Sequence, residues 1–226
     1  MQKTIFLFAA GIMLASCNFN TKYTIQGTLS DKTLDGKEIY LNQYEATGLE
    51  FNLLSSDTTR ISGNKFQFKG VQTEPAVYYL LVDDTAASGE IALGIPLLVK
   101  PGKITVEVND KRVRIGGNEE NKAYQQFLDD QYSLVEKMLS LQNEATNNEG
   151  DRTKQISLYS EYTNTMEQLK LIALDYLLKN IRNPLGEEVF INSYLMFEND
   201  EIQKILGQAS ESFRSSSAVT EILGEI

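Results

Sequence analysis

Apolar and polar positions alternate along residues 22–116, and from residue 118 onward the apolar positions recur at helical spacing. Tyr23, Ile25, Gly27 and Leu29 form the first period-two run, the pattern of a half-buried strand. Residues 31–36 hold turn residues and end in Asp35-Gly36, a hairpin signal. Alternation resumes over residues 37–44 through Ile39 and Leu41. Residues 51–61 read as one bent strand or an irregular pair. Gly63-Asn64 separates two alternating runs and predicts a tight hairpin with a primed turn. Residues 77–82 are apolar on both faces, which suits a central strand, and Pro75 can precede it without removing a ladder donor. The Tyr78-Tyr79 pair straddles that strand, so one ring is expected to face the core and the other not. Residues 91–99 and 104–108 predict two more strands across Lys100-Pro101-Gly102-Lys103, a type II turn pattern. Val113 and Ile115 close the series at Gly116-Gly117.

Asn118 then predicts an N-cap, with Glu119 and Glu120 in the first turn where the helix dipole favours acids. Tyr124, Phe127, Leu128, Val135, Met138 and Leu139 continue that helix, and residues 142–151 predict a polar break of about eight residues. A second helix starts near Asp151 and runs through Ile156, Leu169, Tyr176 and Leu177. Two long helices so joined are expected to lie antiparallel. Asn183-Pro184 opens a third helix through Val189, Phe190, Tyr194 and Phe197. Asp200 is read as the cap of a fourth, and Ser215-Ser216-Ser217 precedes a last amphipathic turn with Val219 and Ile222. The expected fold is α+β: an antiparallel β-sandwich or open barrel of about eight strands, followed by a helical hairpin and short C-terminal helices.

The N-terminus has a different character. Lys3 precedes an apolar run of about ten residues, which is short of the roughly 20 a spanning helix needs. The run closes on Leu14-Ala15-Ser16-Cys17, and Cys17 is the only cysteine among 226 residues. A charged start, a short apolar stretch and small residues before a cut describe a secretory signal. The four closing residues resemble a bacterial lipobox, in which the cysteine is lipidated and becomes the mature N-terminus. The expected division is a signal peptide over 1–16, a lipidated tether over 17–22, a β-domain over 23–117 and a helical region over 118–226. Gram-negative lipoproteins exported to the cell surface carry a cluster of acids just after the cysteine; no acid appears here before Asp31, so the resemblance implies the periplasmic face of an outer membrane.

Composition narrows the chemistry. Removing residues 1–16 takes away Lys3 and no acid, so the net charge of −10 becomes −11 in a mature chain of 210 residues. An acidic chain is a poor ligand for nucleic acid or anionic headgroups, which call for clustered Lys and Arg. There is no histidine, which removes the commonest general base and metal ligand. With Cys17 acylated, no thiol remains for a disulfide, a CxxC pair or a Cys/His zinc site.

An ordered set of short stretches carries a resemblance. Tyr23-Thr-Ile-Gln-Gly27 comes first, then Asp35-Gly36-Lys37 before Tyr40-Leu41, Asp57-Thr58, Gly63, Phe66-Gln-Phe68-Lys-Gly70 and Pro75. Next come residues 97–106, and then Ile115-Gly116-Gly117 running into Asn121 and Tyr124. Over roughly residues 22–125 this order resembles the domain of unknown function 4369. That domain is found on bacterial lipoproteins, often ahead of a thioredoxin-like thiol-disulfide oxidoreductase domain. The resemblance implies a helical connector after the β-domain, and the chain reaches Ile226 where the oxidoreductase domain would begin. No residue here matches its CxxC.

Other constellations favour structure over chemistry. Asp83, Asp84 and Glu90 lack the spacing of a Ca²⁺ loop and read as a solvated loop. Glu119-Glu120 and Glu187-Glu188 read as first-turn acids. Gly116-Gly117-Asn118 lacks the pattern of a phosphate loop. Tyr124, Tyr132, Tyr159, Tyr162, Tyr176 and Tyr194 can line a glycan or peptide groove, or pack in the core and its rim. No catalytic residue, metal or cofactor is expected. The leading expectation is a lipid-anchored, non-catalytic interaction or spacer module, attached to the membrane through Cys17. The alternatives are an accessory or truncated relative of a thioredoxin-like oxidoreductase, with such a protein as partner, and a glycan- or peptide-binding protein.

Overall fold

A computed structural model describes residues 21–47, 50–82, 94–109 and 112–225. Cys17 and its lipobox, the Asp83-Asp84/Glu90 group and the first residues of the expected strand over 91–99 lie outside these. Eight strands are described: β1 (Lys22–Leu29), β2 (Glu38–Thr47), β3 (Glu50–Arg60), β4 (Lys65–Val71), β5 (Ala76–Val82), β6 (Ile95–Val99), β7 (Gly102–Val108) and β8 (Val113–Gly116). Six α-helices follow: α1 (Glu119–Asn147), α2 (Arg152–Asn180), α3 (Pro184–Ser193), α4 (Asn199–Gln208), α5 (Glu211–Arg214) and α6 (Ser217–Glu225).

The strands form two four-stranded sheets, ordered β4-β1-β7-β8 (sheet A) and β3-β2-β5-β6 (sheet B). This is the sandwich of the two expected architectures. Every described pairing is antiparallel except β1 with β7, which is parallel, so sheet A is mixed. Alternation in β1 is as expected: Tyr23, Ile25, Gly27 and Leu29 are buried, and the residues between them are not.

Two expected hairpins turn out to be corners between the sheets. Gly63 (φ 59°) and Asn64 (φ 61°) make the primed turn. Ser62 and Lys65 exchange backbone hydrogen bonds of 2.9 and 3.2 Å across it. Beyond that bridge β3 pairs with β2 and β4 with β1, so the strands part into different sheets. The Asp35-Gly36 signal likewise joins β1 of sheet A to β2 of sheet B, after a 3-10 turn at Lys32–Leu34. Turn residues fix the local backbone, whereas the partner of a strand is set by distant contacts. The stretch over 51–61 is one strand, with its register against β2 shifting at Gln43/Tyr44.

Sheet B lies between two layers. Ile39, Leu41, Leu80 and Leu97 face sheet A and join Ile25, Phe68, Ile104 and Val106 in one core. The other face of sheet B packs against α3 and α6. Both rings of the Tyr78-Tyr79 pair are therefore covered, as befits a central strand. Helices α1 and α2 form the expected antiparallel pair, but α1 runs to Asn147, so the break is shorter than expected and spans residues 148–151. The N-caps at Asn118, Asp151 and Asn183 each accept a backbone N–H, from Asn121, Lys154 and Leu185. The cap of α4 is Glu198 in a capping box with Glu201, and Asp200 sits in its first turn, where it favours the dipole without capping.

Candidate functional site

The start of α1 closes one edge of each sheet, β6 of sheet B and β8 of sheet A. Asn121, fully buried, accepts a hydrogen bond from the Leu98 N–H (2.9 Å) and returns one from Nδ2 to the Leu98 carbonyl (3.0 Å). The side-chain amide thus stands in for the next strand along edge strand β6. One turn on, Gln125 accepts from the Ile115 N–H at 2.6 Å and donates to the Val113 carbonyl at 3.2 Å, doing the same for β8. Gly117 (φ 122°) lets the chain turn from β8 into α1. A Cβ there would lie 2.5 Å from the Lys103 carbonyl oxygen, so Gly117 serves backbone approach.

Helix α1, so positioned, forms one wall of a cleft of about 290 Å³ against sheet B and α3. Its lining includes Tyr79 from β5, Tyr124 and Phe127 from α1, Glu188 from α3, and Met196. The Tyr79 hydroxyl donates to Glu188 Oε1. Burial pushes the Glu188 carboxyl above the usual carboxylate range; the Tyr79 hydrogen bond opposes this and neighbouring Glu187 reinforces it. Burial, with the Glu188 charge second, also raises the Tyr79 and Tyr124 hydroxyls. Glu187 is raised by burial as well, against a hydrogen bond from Ser216.

A carboxyl held toward its neutral form beside a phenol is acid/base chemistry in outline. The oxygen that would do such work is, however, engaged by Tyr79. The Ser193 hydroxyl donates to the Val189 carbonyl, and Asn192 donates to the Glu188 carbonyl. Among the described residues no buried side-chain polar atom lacks a partner, and no cluster of His, Cys, Asp and Glu is arranged to hold a metal ion.

The six helical tyrosines do not converge. Tyr124 and Tyr176 pack with Phe127 in the core, with ring centroids 4.8–6.3 Å apart. Tyr159 is 74% exposed in the N-terminal third of α2. Tyr132 donates to Glu136, and Arg112 lies over its ring at 3.8 Å. Glu119-Glu120 falls in the first turn as expected, and Glu120 also pairs with Lys100 at 2.6 Å. Glu187 is a first-turn acid too, but Glu188 is turned into the sheet, a role its place in the sequence did not disclose. Asn121 and Gln125 were equally hidden. Their one sequence signal is Asn121's place in the ordered set of stretches ending at Tyr124.

Among the described residues no helix is long and apolar enough to cross a membrane. Residues 23–124 match the family described as Domain of unknown function (DUF4369). No curated protein matches the chain.

Proposed function

With residues 23–124 a DUF4369 domain, we propose that the chain is a lipid-anchored lipoprotein of the cell envelope, facing the periplasm and acting as a non-catalytic interaction or spacer module. The observation that carries this reading is Leu14-Ala15-Ser16-Cys17 closing a short apolar run behind Lys3. A diacylated cysteine supplies two chains, at roughly 0.8 kcal/mol per buried methylene, enough for stable attachment where one chain is marginal. Two further facts support the non-catalytic part. The chain has no histidine, and in the cleft Tyr79 is bonded to Glu188 while Asn192 and Ser193 donate to backbone carbonyls. The test is fractionation of cells expressing the chain with and without Cys17→Ser, paired with an insulin-reduction assay on the purified protein. The reading expects membrane association that the substitution abolishes, and no turnover. Soluble wild-type protein, or catalysed reduction of insulin, contradicts it.

The cleft itself favours a second reading, capture of a small glycan or peptide between Tyr79, Tyr124 and Met196. A thermal-shift screen with glycans and peptides separates the two. Stabilisation that Tyr79→Phe removes supports capture, and a flat response across the screen counts against it.

A further inference from the structure

The central strands of sheet B are covered on both faces, but among the described residues sheet A is covered on one only, and its outer face carries an ordered charge pattern. Across the register, Lys69 and Lys103 stand on either side of Thr24. Lys22 lies two residues before Thr24 on the same face of β1. The next row is Gln67, Gln26 and Thr105, and the row after it Lys65, Thr28, Glu107 and Arg114. All five basic residues are exposed, and Glu107 is the one acid on this face. No ion pair of Lys69 or Lys103 is formed among the described residues, whereas Lys100, Lys122, Lys137, Lys154 and Lys170 each have a carboxylate partner. A chain of net charge −10 thus gathers positive charge on the bare outer face of sheet A. Net acidity does not keep this face from anionic headgroups, because clustering governs such contacts more than net charge does.

We propose that the Lys22, Lys69 and Lys103 end of this face rests on an anionic phospholipid surface, the ammonium groups taking the headgroup phosphates. The proposal builds on lipidation of Cys17. Five residue steps separate Cys17 from Lys22 and span at most about 18 Å. The anchor therefore holds the start of β1, together with the flanking end of β4 and start of β7, beside the bilayer. A basic patch next to an acyl anchor is the usual second signal for membrane attachment. It would set the orientation of the sandwich and leave the helices pointing away from the lipid.

The test is lysine footprinting of the mature protein in vesicles of neutral phosphatidylcholine and in vesicles containing 30 mol% phosphatidylglycerol. A membrane-impermeant amine-acylating reagent is used and the labelled peptides are read by mass spectrometry. Expected is a slowing of Lys69 and Lys103 labelling by about fivefold in the anionic vesicles, lost at high salt. Lys137 and Lys154 on the helical hairpin should be unchanged, and Lys69→Glu/Lys103→Glu should release Lys22. Equal labelling in both vesicle types, or equal protection of Lys137 and Lys154, overturns the proposal. So does protection by dextran sulfate without protection by anionic vesicles, which would assign the face to a soluble polyanion. The same spectra give the mass of the Cys17 peptide. A lipidated Cys17 with unprotected lysines sinks this proposal alone, and protected lysines with an unlipidated Cys17 sink only the anchor.

Discussion

The ring of Phe66 lies directly over Gly27, its partner across the β1/β4 ladder: a Cβ on Gly27 would fall 1.9 Å from Phe66 Cζ. The relationship is repeated with the strands exchanged, since the Tyr23 ring covers Gly70 and a Cβ there would fall 2.6 Å from it. Each strand contributes one aromatic and one glycine four residues apart, so an antiparallel register sets each ring on the other strand's gap. This accounts for Tyr23-Thr-Ile-Gln-Gly27 and Phe66-Gln-Phe68-Lys-Gly70 having the same spacing. Alanine ordinarily suits a strand interior better than glycine. Gly27→Ala is nevertheless expected to destabilise the protein by about 2 kcal/mol, because it displaces Phe66. In a Phe66→Ala background the same change should cost nothing or stabilise. Urea unfolding of the four proteins checks this, and an equal cost of Gly27→Ala in both backgrounds would refute steric displacement as the cause.

Asn121→Ala leaves the buried Leu98 N–H without its acceptor. A loss of about 1–3 kcal/mol is expected, measured by denaturant unfolding. The Leu98 carbonyl keeps the Asn118 Nδ2 as donor at 3.0 Å. Asn118→Ala in addition should therefore cost more than the two single losses suggest, since only the pair strips that carbonyl.

The Glu188 carboxyl is raised in the folded state by burial, so the folded protein binds its proton more tightly than the unfolded chain does. Its contribution to stability is fully present below the ordinary carboxylate value of 4.5. It is lost as pH rises through the folded value. Glu188→Gln keeps an acceptor for Tyr79 without the charge. Its stability relative to wild type is expected to improve steadily from pH 4.5 toward neutrality, as followed by thermal melts. A difference independent of pH would mean that Glu188 is not held toward its neutral form. Glu120 has the opposite sign: burial raises it, but the Lys100 ammonium outweighs this and holds it low, so its small contribution is lost on acidification.

The helical hairpin is anchored at one end. Leu177 is fully buried, and Leu177→Ala is expected to cost about 2–5 kcal/mol. Ile156, 64% exposed near the start of α2 at the loop end of the hairpin, should tolerate Gln within about 0.5 kcal/mol. Chemical denaturation of the two variants distinguishes this picture from one in which the hairpin is packed evenly along its length.

What could be read from the sequence follows from how local the physics is. The caps at Asn118, Asp151 and Asn183 were legible because a side chain and a backbone N–H two or three residues away suffice to make them. The turn at Gly63-Asn64 was legible for the same reason, but the divergence of β3 and β4 beyond it was not. Strand partners are chosen across the whole domain, so two runs joined by a good turn can still enter different sheets. The parallel β1/β7 pair was hidden likewise, with six described elements of chain between its strands. Glu188 looked like a second first-turn acid because α3's rotation against sheet B decides which of two adjacent carboxyls meets Tyr79. The sheet A lysines are each unremarkable in sequence and become a patch only when the β4-β1-β7 register lines them up.

The central claim is that Cys17 carries the anchor, and mass spectrometry of the N-terminal peptide from membrane-extracted protein tests it most directly. The account predicts a chain beginning at Cys17 with the added mass of acyl groups. An intact N-terminus, a cut elsewhere, or a Cys17 without lipid would contradict it.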